Sequence, residues 1–177
     1  MELTPLPLPG CYRLDFAPQA DARGTFVKTV HAPTFATQPG LSWSFRESYF
    51  STSAAGVLRG MHLQLPPYDH GKLVYCTAGR VLDVVVDLRH GPTFGQYYSL
   101  ELSPATPQGL YIAHGCAHGF LAFEPSTLVY HTTLEYAPSH DGGIRYDSFG
   151  FAWPLPNPTV SDRDRALPGL EAFAKPR

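Results

Sequence analysis

Residues 81–87 read Val-Leu-Asp-Val-Val-Val-Asp. The apolar and acidic side chains partly alternate, as in a strand with one buried face. Residues 96–102, QYYSLEL, carry a similar pattern. Working outward, further short runs rich in Val, Tyr, Phe, Leu and Thr lie at Ser42–Ser51, Val57–Leu65, Lys72–Cys76, Gly109–Ile112, Gly119–Phe123 and Thr127–Thr133. The 16 glycines and 18 prolines fall between these runs as punctuation. Short β-prone segments broken by turn residues about every ten positions predict an all-β sandwich or barrel. Helix signals are few: a turn or two within His31–Gln38, and another within Arg165–Ala174, interrupted by Pro168 and Gly169. Residues 136–177 are loop-rich, with aromatic anchors, and are expected to pack over the barrel. The whole chain, 1–177, reads as a single domain.

Composition narrows the function. Charged residues make up 16% and hydrophobic ones 44% of the 177 residues, which argues against disorder. A formal net charge of −2 gives no basic field for nucleic acid or anionic membranes. No apolar run approaches a membrane span, and MELTPLPLPG has neither the basic nor the apolar region of a signal peptide. Cys11, Cys76 and Cys116 are odd in number, widely spaced and without a CxxC. Reduced thiols in a cytoplasmic protein fit best.

Several segments could carry chemistry. In GVLRGMHLQ (56–64), ideal strand alternation puts His62 and Gln64 on the face of Leu58, and Arg59 on the other. A bulge at Gly60 would bring Arg59 onto the face of His62. By itself His62 reads most simply as a buried, satisfied histidine. Lys72, in GKLV, reads as a solvated strand end, or as an ammonium that would stabilise an oxyanion inside a barrel. His114 and His118, in HGCAHGF, have a metal-ligand spacing only on a helix, and the flanking glycines disfavour one. Tyr130 and Tyr136 bracket a strand end and read as core aromatics or as a proton donor and a stacking ring. Asp164, in VSDRDR, reads as surface charge or as a carboxylate that orients a histidine. Arg23, Arg59 and Lys72 would suit a diphosphate if they converge.

Taken in order, DARGTF (21–26), GVLRGMHLQ (56–64), GKLV (71–74), DVVVDLRHGPTFG (83–95), AHGF (117–120), Tyr130 with Tyr136, APSHDGGI (137–144) and SDRD (161–164) resemble the dTDP-4-dehydrorhamnose 3,5-epimerase family from about Gly10 to Asp164. The resemblance implies a cupin-type double-stranded β-helix, a jelly-roll barrel with a few short helices. It implies a homodimer that exchanges N-terminal strands, and no metal or cofactor. It implies a nucleotide-diphospho-sugar substrate, with His62 as general base, Asp164 as its carboxylate partner, Lys72 beside the C4 carbonyl and Tyr130 as proton donor. Tyr136 would stack on the base. Arg23, Phe26, Lys28, Glu47, Tyr49, Arg59, Gln64, His118, Asp141 and Arg163 would line the substrate. Lys28, Glu47, Tyr49 and Ala113-His114-Gly115 depart from the family pattern, while Asp141 and Arg163 stand where Glu and Lys are common. These departures leave open a CDP-linked or other nucleotide sugar, and inversion at one centre instead of two. A 3,4-ketoisomerase and a non-catalytic sugar-nucleotide or metal-binding cupin are the remaining readings, the metal version drawing on His70, His114 and His118.

Overall fold

The computed structural model describes residues 1–41 and 43–174. In chain order it contains β1 (Glu2–Pro5), β2 (Tyr12–Asp15), β3 (Gln19–Asp21), β4 (Gly24–Phe26), α1 (Ala32–Phe35), β5 (Glu47–Ser53), β6 (Leu58–Gln64), β7 (Lys72–Ala78), β8 (Val81–Asp87), β9 (Tyr97–Leu102), β10 (Gln108–Ile112), β11 (Cys116–Ala122), β12 (Ser126–Thr132), β13 (Asp141–Gly143) and α2 (Asp162–Arg165). Two antiparallel sheets face one another. One has the order β1-β2-β10-β7-β12-β5, the other β13-β6-β11-β8-β9, and β3-β4 form a separate hairpin. This is the expected cupin-type jelly roll. Among the described residues no helix is long and apolar enough to cross a membrane.

The inner faces close over one apolar core. Val74, Cys76, Leu110, Ile112 and Leu128 from the first sheet meet Val81, Val85, Leu102, Phe120 and Ala122 from the second. Each fully buried Leu, Ile or Phe contributes roughly 1.5–3 kcal/mol. The outer faces are covered too. Met61, Leu63, Val84 and Val86 pack against Ile144, Phe149 and Phe173 of the C-terminal segment. Leu14, Leu73 and Tyr111 pack against Phe35 and Leu41 of the segment containing α1. Burial on both faces explains why VLDVVVD alternates only partly: Val81 and Val85 serve the inner core, Val84 and Val86 the outer one.

Several boundaries differ from the expectations. The run at Ser42–Ser51 yields a strand only from Glu47, continuing to Ser53, and Ser42 lies outside the described residues. β1, β2 and β13 carry no alternation long enough to read from sequence, because they are only three or four residues long. At the C-terminus the helix forms earlier than expected, at Asp162–Arg165, and only a 3-10 turn, Leu170–Phe173, follows Pro168 and Gly169.

Candidate active site

The bulge anticipated at Gly60 is present and decides what faces inward. Along β11 the register passes from His118 to Phe120 while β6 passes from His62 back to Arg59. One extra residue on β6 is thereby absorbed. Gly60 makes this possible with φ +127°, and any Cβ there would lie 2.5 Å from Gly119 Cα and 2.9 Å from the His118 carbonyl oxygen. As a result Arg59, His62 and Gln64 line a common cavity, whereas Leu58 packs outside with Leu121 and Val160. Simple alternation had put Leu58 with His62, and the bulge reverses that.

The cavity measures about 470 Å³ and is walled by both sheets. From β6 comes His62, whose Nε2 lies 2.8 Å from Asp164 Oδ1. Asp164 is 4% exposed on α2. The Gly60 N–H donates to its other oxygen at 3.0 Å, and the Asp164 N–H donates to Ser161 Oγ at 3.1 Å. Burial alone would raise the Asp164 pKa, but the His62 and Gly60 hydrogen bonds outweigh it and hold the carboxyl below its ordinary value. Asp164 thus fixes one imidazole nitrogen through a short bond, while His62 itself lines the cavity.

Lys72 is buried on the inner face of β7 and donates to the His62 carbonyl oxygen at 3.4 Å, so it is no solvated strand end. Burial pushes its pKa down to about 8, and the charges of Asp83 and Asp141 limit the fall. Facing His62 from the other sheet, Tyr130 is 7% exposed, with its hydroxyl 3.2 Å from Ser51 Oγ. Tyr49 stacks on it at 4.9 Å between centroids. Burial raises the pKa of Tyr130 strongly, and that of Tyr49 to about 12. Both phenols therefore stay protonated at neutral pH.

The remaining lining residues are held individually. Arg59 donates to Ser53 Oγ at 3.0 Å and to the Thr52 carbonyl at 2.9 Å. His118, fully inside, meets the buried Asp83 carboxylate at 2.9 Å. At the rim, the Tyr136 hydroxyl donates to Asp141 at 2.9 Å, and Arg163 pairs with the same carboxylate. Glu47 accepts from the Tyr136 N–H and Gln64 from the Ala137 N–H, tying the rim to the strands. Arg23, Phe26 and Lys28 do not reach this cavity. Arg23 sits exposed on the β3–β4 hairpin, paired with Asp21. Phe26 and Lys28 border a separate 370 Å³ depression with Met1, Gln19 and His31.

Sequence reasoning passed over Asp83, Ser51, Thr132 and Phe120 as lining or supporting groups, and took His70 only as a spare metal ligand. Asp83 had a usable signal, since it shares the parity of Val81 and Val85 inside a strand. His70 lines the cavity beside Lys72, and burial followed by the Lys72 charge lowers its pKa to about 4. His114 lies at the surface 3.1 Å from Asp69, away from His118. Among the described residues no group of three or more His, Cys, Asp or Glu side chains is placed to hold a metal ion.

A jelly-roll interior that sets an imidazole–carboxylate pair opposite a buried ammonium and a protonated phenol belongs to the class of acid–base enzymes working on a bound small molecule. Comparison with known proteins makes the assignment specific. The family model described as dTDP-4-dehydrorhamnose 3,5-epimerase matches residues 5–172. The Mycolicibacterium smegmatis dTDP-4-dehydrorhamnose 3,5-epimerase is 37% identical over 93% of this chain and 84% of its own. Among solved structures, the Mycobacterium tuberculosis rmlC epimerase superposes with a TM-score of 0.93 at 37% identity, covering 97% of this chain and 90% of that one. The Legionella pneumophila RmlC, solved with dTDP-4-keto-L-rhamnose, gives 0.91 at 32% identity, covering 99% and 97%. The chain belongs to the dTDP-4-dehydrorhamnose 3,5-epimerase family, and is an isomerase of that family.

Proposed function

We propose that the cavity inverts C3, C5 or both of a nucleotide-diphospho 4-keto-6-deoxysugar, in the manner of dTDP-4-dehydro-6-deoxyglucose becoming dTDP-4-dehydrorhamnose. The observation that carries this reading is the placement of His62, on one sheet and backed by Asp164 of α2, and of Tyr130, on the other sheet, around one ring-sized space. Hydrogens at C3 and C5 are acidic because a C4 ketone lies between them, and removing either leaves an enolate. His62 takes the proton; Asp164 fixes its tautomer and stabilises the imidazolium that forms. Lys72 provides a fixed positive donor for the enolate oxygen, an interaction typically worth roughly 3 kcal/mol of barrier. Tyr130, held neutral by burial, returns a proton from the opposite face, which is what inversion requires.

Arg59, His118 and Arg163 would hold the diphosphate and sugar, and Tyr136 would stack on the base at the rim. Arg23, Phe26 and Lys28 would serve the cavity of a second copy in a homodimer. Phe26 is 62% exposed on its hairpin, and Phe50, on the edge strand β5, is 69% exposed. Three free thiols fit a reducing cytoplasm.

The test is incubation with dTDP- and CDP-linked 4-keto-6-deoxyglucose in D2O, followed by NMR. Deuterium entering C3 and C5 with inversion supports the double epimerase, and entry at one carbon alone a single-centre enzyme. A carbonyl that moves to C3 reassigns the chain as a 3,4-ketoisomerase. Binding without exchange for every nucleotide sugar offered refutes catalysis.

A further inference from the structure

Behind Lys72, where the N-terminal β1–β2 link meets the start of β11, two thiols that the epimerase chemistry does not use lie in contact. Cys11 Sγ and Cys116 Sγ are 3.8 Å apart although 105 positions separate them in the chain. They are 1% and 2% exposed. The simplest account is that both are small apolar fillers. Three features set them apart from Cys76, whose thiol only donates to the carbonyls of Ala78 and Gly79. Cys11 Sγ accepts the Ala113 N–H at 3.4 Å, and the neighbouring thiol is its other partner. Arg89 lies close enough for its charge to act on both sulfurs, and its side chain, 28% exposed, packs over Gly115. The exposed Gly10 adjoins Cys11, so the pair is one layer below the surface.

We propose that Cys11 and Cys116 form a reversible, peroxide-sensitive disulfide that ties the β1–β2 link to the β11 strand carrying His118. The hydrogen bonds to Cys116 and Ala113 hold the Cys11 pKa below its ordinary value against burial, with a smaller contribution from Arg89, itself paired with Asp87, and this favours the thiolate, the reactive form. That sulfur attacks a peroxide oxygen, the O–O bond breaks and hydroxide leaves, giving a sulfenic acid at Cys11. Cys116 then attacks the sulfenic sulfur, the S–O bond breaks and water leaves. Two thiols and one peroxide become one disulfide and two waters, with the electron pair passing from sulfur to peroxide oxygen. Closure moves the sulfurs from 3.8 Å to roughly 2.0 Å, and a thiol reductant reverses it.

The test treats the full chain with hydrogen peroxide, then counts thiols after denaturation and maps peptides by mass. The expected result is a mass loss of about 2 Da, a fall from three titratable thiols to one, and a Cys11–Cys116 cross-linked peptide that dithiothreitol removes. Cys76→Ser should still form the bridge, Cys11→Ala should leave the mass unchanged on brief exposure, and Cys116→Ala should stop at the Cys11 sulfenic acid with a gain of about 16 Da. Three thiols surviving peroxide, a bridge that includes Cys76, or oxygen adducts on Cys11 beside a free Cys116 would each overturn the proposal. These readouts are independent of turnover, so they stand or fall apart from the epimerase assignment.

Discussion

Replacing Lys72 by Met should make the protein more stable and inactive. Lys72 lies in a buried inner-face position of β7, opposite Ile112 and Thr132 on the neighbouring strands. Its pKa falls from 10.5 to about 8, which corresponds to about 3 kcal/mol at roughly 1.4 kcal/mol per pH unit. At pH 7 the folded protein therefore bears that cost of keeping the ammonium charged among side chains instead of in water. Methionine has a similar unbranched length, packs apolar neighbours and carries no charge. The sign with pH follows from linkage. Below pH 8 the cost is present in full. Between 8 and 10.5 the folded lysine is already neutral while the unfolded one still binds a proton, so wild-type stability rises relative to the variant, and above 10.5 the difference is gone. Urea denaturation of both proteins at pH 7, 9 and 10.5 measures this, beside turnover at pH 7. The expected gap is about 3 kcal/mol in favour of Lys72→Met at pH 7, closing by pH 10.5, with epimerisation lost. A variant less stable than wild type at pH 7, or a gap that ignores pH, refutes the argument. In the wild type, turnover should likewise decline as pH rises through about 8, where the ammonium is lost.

His62→Ala should abolish deuterium wash-in with an unchanged circular dichroism spectrum, because the imidazole lines an open cavity; retained exchange removes it as the base. Asp164→Asn should lower turnover by up to about 10⁴-fold by presenting an N–H to His62 and selecting the wrong tautomer. Wild-type stability should also drop as pH falls below 3.8 toward the depressed Asp164 pKa, a component that the Asn variant lacks in acid titrations. Tyr130→Phe should preserve wash-in from the His62 face but lose inversion, so NMR should show labelled substrate without epimer. Gly60→Ala should destabilise by about 3 kcal/mol or more, since the methyl meets backbone at 2.5 Å in a left-handed conformation, and a thermal melt within 2 °C of wild type would contradict this.

The β segments at 57–65, 72–76, 81–87 and 97–102 could be read from sequence because each is several residues long and turns one apolar face toward the core. The strands that escaped reading, β1, β2, β3 and β13, are held by pairing with neighbouring strands instead of by an apolar pattern of their own. The site was legible unevenly. A bulge at Gly60 was a natural reading of a glycine within a strand, and it correctly gathers Arg59 with His62. No local pattern could join His62 to Asp164, since 102 positions separate them and the contact depends on how α2 settles over β6. That link came from the ordered set of short motifs. Asp83 went unread because an acid in a valine-rich strand reads as solvent-facing, when here it shares the inward half of β8 with Val81 and Val85 and meets His118.

The carboxylate that steers the imidazole arrives on α2, downstream of every strand in both sheets. During synthesis the barrel walls are complete before the pair can exist. A nascent chain halted before residue 164 lacks the carboxylate that meets His62. On the proposed roles, proton transfer would wait for α2 to dock, so the last-made segment would be the one that completes the site.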